Sequence, residues 1–232
     1  MGDPYGFIEC VPRELGAKAA RGEVAAGPLP LVDYFRLEAT FERVGRFGIA
    51  VRGRGRSAIL FARRPLRQLD HALIAVTEET STTFCLLRLL LEERYRLRPA
   101  SYERGQRQDA DALLLIGDAA LQFQQANTSY PFEIDVAFEW WLWQHLPFVF
   151  AVWAIRKDAT EGFKTQLERA MSRSLGINTR QLELIAREYS MTLGVPSASL
   201  HAYLSNFIYR LSEPEEEAIS RFRTLLDASH LL

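Results

Sequence analysis

The sequence predicts an α/β protein, because short β-prone runs and helical segments alternate over most of the chain. The clearest strands are residues 112–116 and 148–155, two continuous apolar runs typical of strands buried on both faces. The clearest helix starts after residues 80–83, where phenylalanine and leucine recur at helical spacing. A polar loop joins that helix to the β-prone run at residues 74–76, so the stretch predicts strand, loop and helix.

Composition limits the class of protein. With 232 residues, 48% hydrophobic and 25% charged, the chain can bury a core of one large or two small domains. A formal net charge of -1 argues against a general nucleic-acid partner, since binding to phosphates depends on excess Lys and Arg. No apolar stretch is long enough to cross a membrane, and no secretory signal is visible. Cys10 and Cys85 lie far apart and are predicted to be buried free thiols, which fits a cytoplasmic protein.

The first elements follow a β-α-β order. A β-prone run at residues 7–11 precedes a helix that Pro12 opens and Gly22 ends, and residues 24–29 return to an extended conformation. A short helix is expected around residues 32–37. This order predicts a parallel α/β layer.

Two further β candidates, residues 47–51 and 57–61, flank the segment RGRGR. Arginines crowd this region, and most are expected on the solvated rim of a hairpin, although the cluster could also attract a small anion. We keep only Arg56 as a candidate ligand contact, because it adjoins Ser57 at the start of an apolar strand.

The helix start at Thr80, Ser81 and Thr82 is the strongest candidate site. Several hydroxyls and unpaired backbone N–H groups converge there, and such a point attracts a carboxylate or a phosphate. The alternative is that one hydroxyl caps the helix and the others face water.

Three polar positions farther along are weaker candidates. Gly117 and Asp118 close the buried strand, where an Asp caps the following helix or orients a ligand group, and capping is the default. His145 lies at the break between a helix over residues 135–145 and the next strand, so it could reach a cleft. Residues 160–226 are predicted to be wholly helical, in four segments.

The motifs GPLPLVDYF, RSAILFA, VTEETSTT, LLIGDAAL, LPFVFAVW and YLSNFIYRLSEPEEEAISRF occur in an order that resembles a known family. It is the cytoplasmic menaquinone-biosynthesis family that includes chorismate dehydratase and dihydroxynaphthoate synthase. The resemblance implies a two-lobed, type 2 periplasmic-binding-protein-like α/β fold with a helical C-terminal portion. Residues 1–58 and 149–232 would form lobe one, and residues 59–148 lobe two.

The chorismate dehydratase branch fits best in length and in the C-terminal helices. The resemblance then implies a lyase of the futalosine route that removes water from chorismate to give 3-[(1-carboxyvinyl)oxy]benzoate. A small carboxylate would be the substrate, and no metal or organic cofactor is implied. The expected substrate contacts are Arg56, Ser57, Thr80, Ser81, Thr82, Gly117 and Asp118. The catalytic group is left open among Ser57, Asp118 and His145.

One departure from the family concerns the start of the chain. Family members open with a strand and a polar turn that carry a Tyr-Leu-Asn type motif, and no such motif precedes Asp3 here. We therefore expect the first strand, turn and helix to be lacking. Two hypotheses stay open, a lyase and a non-catalytic carboxylate-binding protein of the same fold. Self-association as a homodimer is also left open.

Overall fold

The computed structural model describes residues 6–78, 80–105, 107 and 109–232, which form a mixed α/β fold with two sheets. The strands are β1 Ala26–Pro30, β2 Phe41–Val51, β3 Ala58–Ala62, β4 Leu73–Val76, β5 Ser101–Arg104, β6 Ala112–Ile116, β7 Phe132–Asp135, β8 Phe148–Arg156 and β9 Phe207–Arg210. The helices are α1 Pro12–Ala20, α2 Leu31–Leu37, α3 Thr82–Arg88, α4 Gly117–Ala126, α5 Val136–Gln144, α6 Glu161–Asn178, α7 Leu182–Leu193, α8 Ser197–Leu204 and α9 Glu213–Ala228. A 3-10 turn covers Leu66–Gln68, and the π-helical segment Leu89–Arg94 continues α3.

The four-stranded sheet has the order β1-β8-β2-β9, and each of its pairs is antiparallel. The parallel layer predicted for the first elements is therefore wrong. The predicted strand at residues 7–11 is also wrong, because residues 6–11 have no regular secondary structure. A β-prone run becomes a strand only when a neighbouring strand completes its hydrogen-bond ladder, and no described strand pairs with this run.

The five-stranded sheet has the order β5-β4-β6-β3-β7. Its strands β4, β5 and β6 run parallel, whereas β3 pairs antiparallel with both β6 and β7. The carboxyl ends of β4 and β6 lie at one edge of this sheet, and α3 and α4 begin close behind them. Turns that follow parallel strands are where α/β folds place ligands.

The chain passes from the four-stranded to the five-stranded sheet through residues 52–57, and it returns through α5. The strands β2 and β3 consequently belong to different sheets, so the arginine-rich segment between them is not the rim of a hairpin. The prediction of a hairpin assumed that strands adjacent in sequence also pair, and here the intervening residues cross between sheets.

The C-terminal portion is helical except for β9, which corrects the prediction of unbroken helices from residue 160. The four residues Phe207–Arg210 pair antiparallel with β2. They are two aromatic residues, an isoleucine and an arginine, a β-prone composition at the edge of the four-stranded sheet. A tertiary pairing of this kind overrides the helical continuity that the flanking α8 and α9 suggest.

One large core joins the two sheets. Its centre is a cluster of aromatic rings from α5, β8 and α9. The ring centroid of Trp140 lies 5.6 Å from that of Phe148 and 5.7 Å from that of Phe222. The indole N–H of Trp140 donates to the carbonyl of Pro147 at 3.0 Å, so its one polar atom is satisfied although the side chain is buried. The return segment α5 is thereby fixed against the four-stranded sheet.

Candidate functional site

A cavity of about 250 Å³ lies between the two sheets. The four-stranded sheet contributes apolar side chains to its wall, among them Pro30, Phe150 and Phe207. The opposite wall is formed where strands of the other sheet begin or end, and it carries the polar groups. They comprise Ser57 before β3, the residues Thr80, Ser81, Thr82 and Thr83 at the start of α3, and Gly117 after β6.

The hydroxyls at the start of α3 have different roles. The Thr83 N–H donates to Thr80 Oγ1 at 3.2 Å, so Thr80 caps the helix. The Val32 N–H donates to Thr82 Oγ1 at 3.1 Å, which satisfies a backbone group in the first turn of α2. A hydroxyl that accepts a hydrogen bond keeps its own hydrogen for another partner. Thr80 and Thr82 can therefore each donate into the cavity.

Ser81 differs from its two neighbours because its hydrogen is already in use. Its Oγ donates to Asp33 Oδ2 at 2.8 Å, and Asp33 lies on α2 behind the cavity wall. Burial raises the pKa of the Asp33 carboxyl, although Ser81, Arg36 and Arg13 act in the opposite direction. Gly16 on α1 makes room for this carboxyl, because a Cβ at that position would collide with Asp33 Oδ2.

Ser57 is buried, and its hydroxyl bonds to the phenol oxygen of Tyr203 at 2.9 Å. Tyr203 lies on α8 and packs edge-on against Phe207, with ring centroids 4.9 Å apart. Burial raises the pKa of Tyr203 to about 12, so the phenol is neutral at ordinary pH. The C-terminal helices thus close one side of the cavity through a neutral hydroxyl pair.

A second, more open cavity of about 370 Å³ lies on the other side of Tyr203. It is lined by Arg54 and Arg56 together with polar side chains of α4 and β7. The Arg54 guanidinium stacks 4.4 Å from the ring centroid of Phe138. The backbone N–H of Arg56 donates to Asp135 Oδ2 at 2.8 Å, and Asp135 also caps α5. Arg56 is thus placed beside this second cavity and not beside the hydroxyls of α3.

The structure brings together five of the predicted site residues and separates the others. Ser57, Thr80, Ser81, Thr82 and Gly117 line the first cavity. Asp118 is exposed in the first turn of α4 and lines neither cavity, although its charge contributes to the raised pKa of Tyr203. His145 is exposed at the C-terminal end of α5 and also lines neither cavity.

Two functional candidates were not predicted from sequence. Asp33 bonds to a residue 48 positions away, and Tyr203 to one 146 positions away, so neither contact is visible as a local pattern. One signal for Asp33 was present, because a lone carboxylate interrupts the apolar segment LVDYF. For Tyr203 we find no comparable signal.

Among the described residues, no cluster of three or more His, Cys, Asp and Glu side chains is arranged to bind a metal ion. Across the same part of the chain, no helix combines the length and the apolar character needed to span a membrane.

Comparisons with known proteins agree with this architecture. A family model described as menaquinone biosynthesis matches residues 2–228. The chorismate dehydratase of Thermus thermophilus is 32% identical over 243 residues, which cover 96% of this chain and 87% of that protein.

Solved structures extend the comparison to the fold. Protein AF1704 from Archaeoglobus fulgidus aligns with a TM-score of 0.76 at 20% identity, covering 97% of this chain and 86% of that one. The alkanesulfonate-binding protein SsuA from Xanthomonas axonopodis pv. citri aligns with a TM-score of 0.62 at 15% identity, covering 96% and 81%. These likenesses confirm the predicted periplasmic-binding-protein-like fold.

Proposed function

Because the chain belongs to the menaquinone-biosynthesis family, we propose that it is a lyase that eliminates water from chorismate to give 3-[(1-carboxyvinyl)oxy]benzoate. The observation that carries the proposal is the 32% identity, over 96% of this chain, to a chorismate dehydratase. The cavity supports it, since hydroxyl groups face apolar and aromatic side chains across a space of about 250 Å³.

The elimination makes the ring aromatic, so most of the driving force comes from the substrate. The protein must hold two carboxylates, exclude water and assist the departing hydroxyl. We assign one carboxylate to the hydroxyls at the start of α3, where Thr80 and Thr82 each keep a hydrogen to donate. The hydrogen-bonded pair Ser57 and Tyr203 is assigned to a second contact with the substrate. Contacts of the substrate with Arg56, Gly117 and Asp118 remain predictions.

A non-catalytic carboxylate-binding protein is the second candidate, and one observation favours it. Of the described residues that line the first cavity, Cys10 and Tyr203 are the titratable ones. Burial raises the pKa of both, so each is protonated at neutral pH. No ionised carboxylate or imidazole on the wall is therefore placed to accept the proton that chorismate must lose.

The test is an assay on chorismate with the wild-type protein and Ser81→Ala. Loss of chorismate and formation of the benzoate product are followed by chromatography and mass spectrometry. Ser81 lies between Thr80 and Thr82 and can donate to the carboxylate once its hydrogen is released from Asp33. A hydrogen bond to a charged group contributes about 1.5–3 kcal/mol, so kcat/KM should fall roughly 10- to 150-fold in Ser81→Ala. Ser129→Ala is the matched control, because Ser129 is exposed and lines neither cavity.

The outcomes separate the two candidates. Product formation well above the spontaneous decay of chorismate supports the lyase. Saturable binding of chorismate without turnover supports the binding protein instead. If chorismate neither binds nor reacts, both candidates are refuted. Equal kcat/KM values for Ser81→Ala and wild type would remove Ser81 from the site.

The proposal also includes a cytoplasmic location, as expected for a biosynthetic enzyme family, and closure of two lobes over the substrate. Lobe one would comprise residues 1–58 and 149–232, and lobe two residues 59–148. The four-stranded and five-stranded sheets support this division, since each sheet draws its strands from one of these two sets, apart from the first residues of β3 and β8, Ala58 and Phe148. Assembly into a homodimer is not part of the proposal.

A further inference from the structure

We propose that Asp33 is a positioning residue whose protonation allows Ser81 to bind a ligand carboxylate, so that ligand binding takes up a proton. This inference deepens the proposed function and rests on it. It starts from one residue of the cavity wall, Ser81, whose Oγ donates to Asp33 Oδ2 at 2.8 Å. Asp33 itself does not line the cavity, and its hydrogen bond to Ser81 connects it to the wall.

The direction of this hydrogen bond decides what Ser81 can offer a ligand. An ionised carboxylate only accepts hydrogen bonds, so an ionised Asp33 holds the single hydrogen of Ser81. The serine then presents lone pairs to the cavity, which repel a carboxylate oxygen. When Asp33 is protonated, it donates to Ser81 Oγ, and the serine hydrogen is free to point into the cavity. Only the protonated form of the pair is therefore complementary to a carboxylate.

A ligand carboxylate bound at Ser81 would also place one negative charge on each side of the serine hydroxyl, that of the ligand and that of an ionised Asp33. A nearby like charge favours the neutral form of a carboxyl, so the ligand should promote protonation of Asp33. The environment of Asp33 already favours this form, because its side chain is 14% exposed and lies against α1 and α3. The proton comes from solvent, and no bond in the ligand is formed or broken.

The groups around Asp33 leave it as the one that titrates. Arg36 on the same helix has Nη1 3.7 Å from Asp33 Oδ1, and the charge of Arg13 acts from α1. Both guanidinium groups act to lower the pKa of Asp33. From α3, the Cys85 thiol interacts with Asp33, and burial raises the pKa of this thiol. None of the four histidines lines the cavity, so a pH effect on carboxylate binding points to Asp33.

The test is calorimetric titration of the full chain with 3-[(1-carboxyvinyl)oxy]benzoate from about pH 5.5 to about pH 8.5, in buffers of different ionisation enthalpy. Wild type should take up as much as one proton per ligand, and its affinity should fall by up to about 10-fold per pH unit. Asp33→Asn supplies a permanent N–H donor to Ser81 Oγ, so it should bind without proton uptake and more tightly than wild type at the upper pH. Ser81→Ala should also lose the proton uptake.

Asp227→Asn is the matched control, since Asp227 is exposed on α9 and should keep the wild-type profile. Binding by wild type without proton uptake would overturn the inference and leave the proposed lyase intact. If the affinity of wild type and that of Asp33→Asn change with pH in parallel, the inference is also overturned and the proposed lyase is left intact. If the product does not bind at any pH, the titration is repeated with benzoate, and the chorismate assay decides the proposed function separately. Absence of benzoate binding would overturn the inference as well.

Discussion

Replacing Thr82 by Val tests whether this residue holds the polar wall of the cavity to α2. The Val32 N–H belongs to the first turn of α2, and its acceptor is Thr82 Oγ1 at 3.1 Å. The Thr82 side chain is 3% exposed, so water cannot readily replace the lost oxygen. The substitution keeps the shape of the side chain and leaves the Val32 N–H unpaired.

The expected cost follows from this geometry. A buried donor without an acceptor costs about 1–3 kcal/mol. For a protein of this size, 1 kcal/mol shifts Tm by about 2–4 °C, so Thr82→Val should lower Tm by about 2–12 °C. Tm is measured by calorimetry on the unliganded protein. From sequence alone these hydroxyls were expected to bind a ligand, or to cap the helix or face water, and a hydrogen bond from Thr82 to α2 was not foreseen.

Thr82→Ser is the matched control, because it retains the oxygen and loses only a methyl group. Tm should stay closer to wild type in Thr82→Ser than in Thr82→Val. If Thr82→Val is as stable as wild type, or if Thr82→Ser is the less stable of the two, the hydrogen bond does not connect the two helices in the way described.

Two more predictions concern Asp33 and Tyr203. Burial raises the pKa of Asp33, so ionisation of this carboxyl opposes folding. The free energy of unfolding should therefore fall as the pH rises from the unfolded-state pKa of Asp33, about 3.9, through its higher folded-state pKa. The free energy of unfolding of Asp33→Asn, measured by urea denaturation, should not fall in this way with pH. An identical fall in the variant would show that Asp33 is not its cause. Tyr203→Phe removes the partner of the buried Ser57 hydroxyl and should cost about 1–3 kcal/mol in urea denaturation. The cost should be the same from about pH 6 to about pH 9 because the pKa of Tyr203 is about 12, whereas Tyr189→Phe at an exposed position should cost nothing measurable.

The elements that the sequence predicted well are those determined by their own residues. β6 and β8 are apolar along nearly their whole length, and α3 has its leucines at helical spacing. The elements that were predicted wrongly depend on whether another strand lies beside them to pair with. Residues 7–11 have a strand-like composition without a described strand to pair with, and β9 exists because β2 lies beside it.

The same division applies to the candidate site. Ser57 and residues 80–82 were found because hydroxyls adjoin the ends of clear strands or the start of a clear helix. Asp33 and Tyr203 were missed because their roles come from contacts across the fold. His145 was chosen for its position at a helix end, but its backbone adopts a left-handed conformation (φ 57°) that ends α5 and leaves the side chain exposed.

The prolines of β1 reduce the tendency of the protein to pair strands with other copies at high concentration. Among the described strands, β1 is paired with β8 only, so it is an edge strand of the four-stranded sheet. The Arg156 N–H donates to the Ala25 carbonyl, and the alternation of an antiparallel ladder then turns Pro28 and Pro30 outward. Neither proline has an N–H, so an approaching β-strand would find acceptors but almost no donors along this edge. The same residues that line the cavity therefore protect the open edge from intermolecular strand pairing, the first step of β-aggregation.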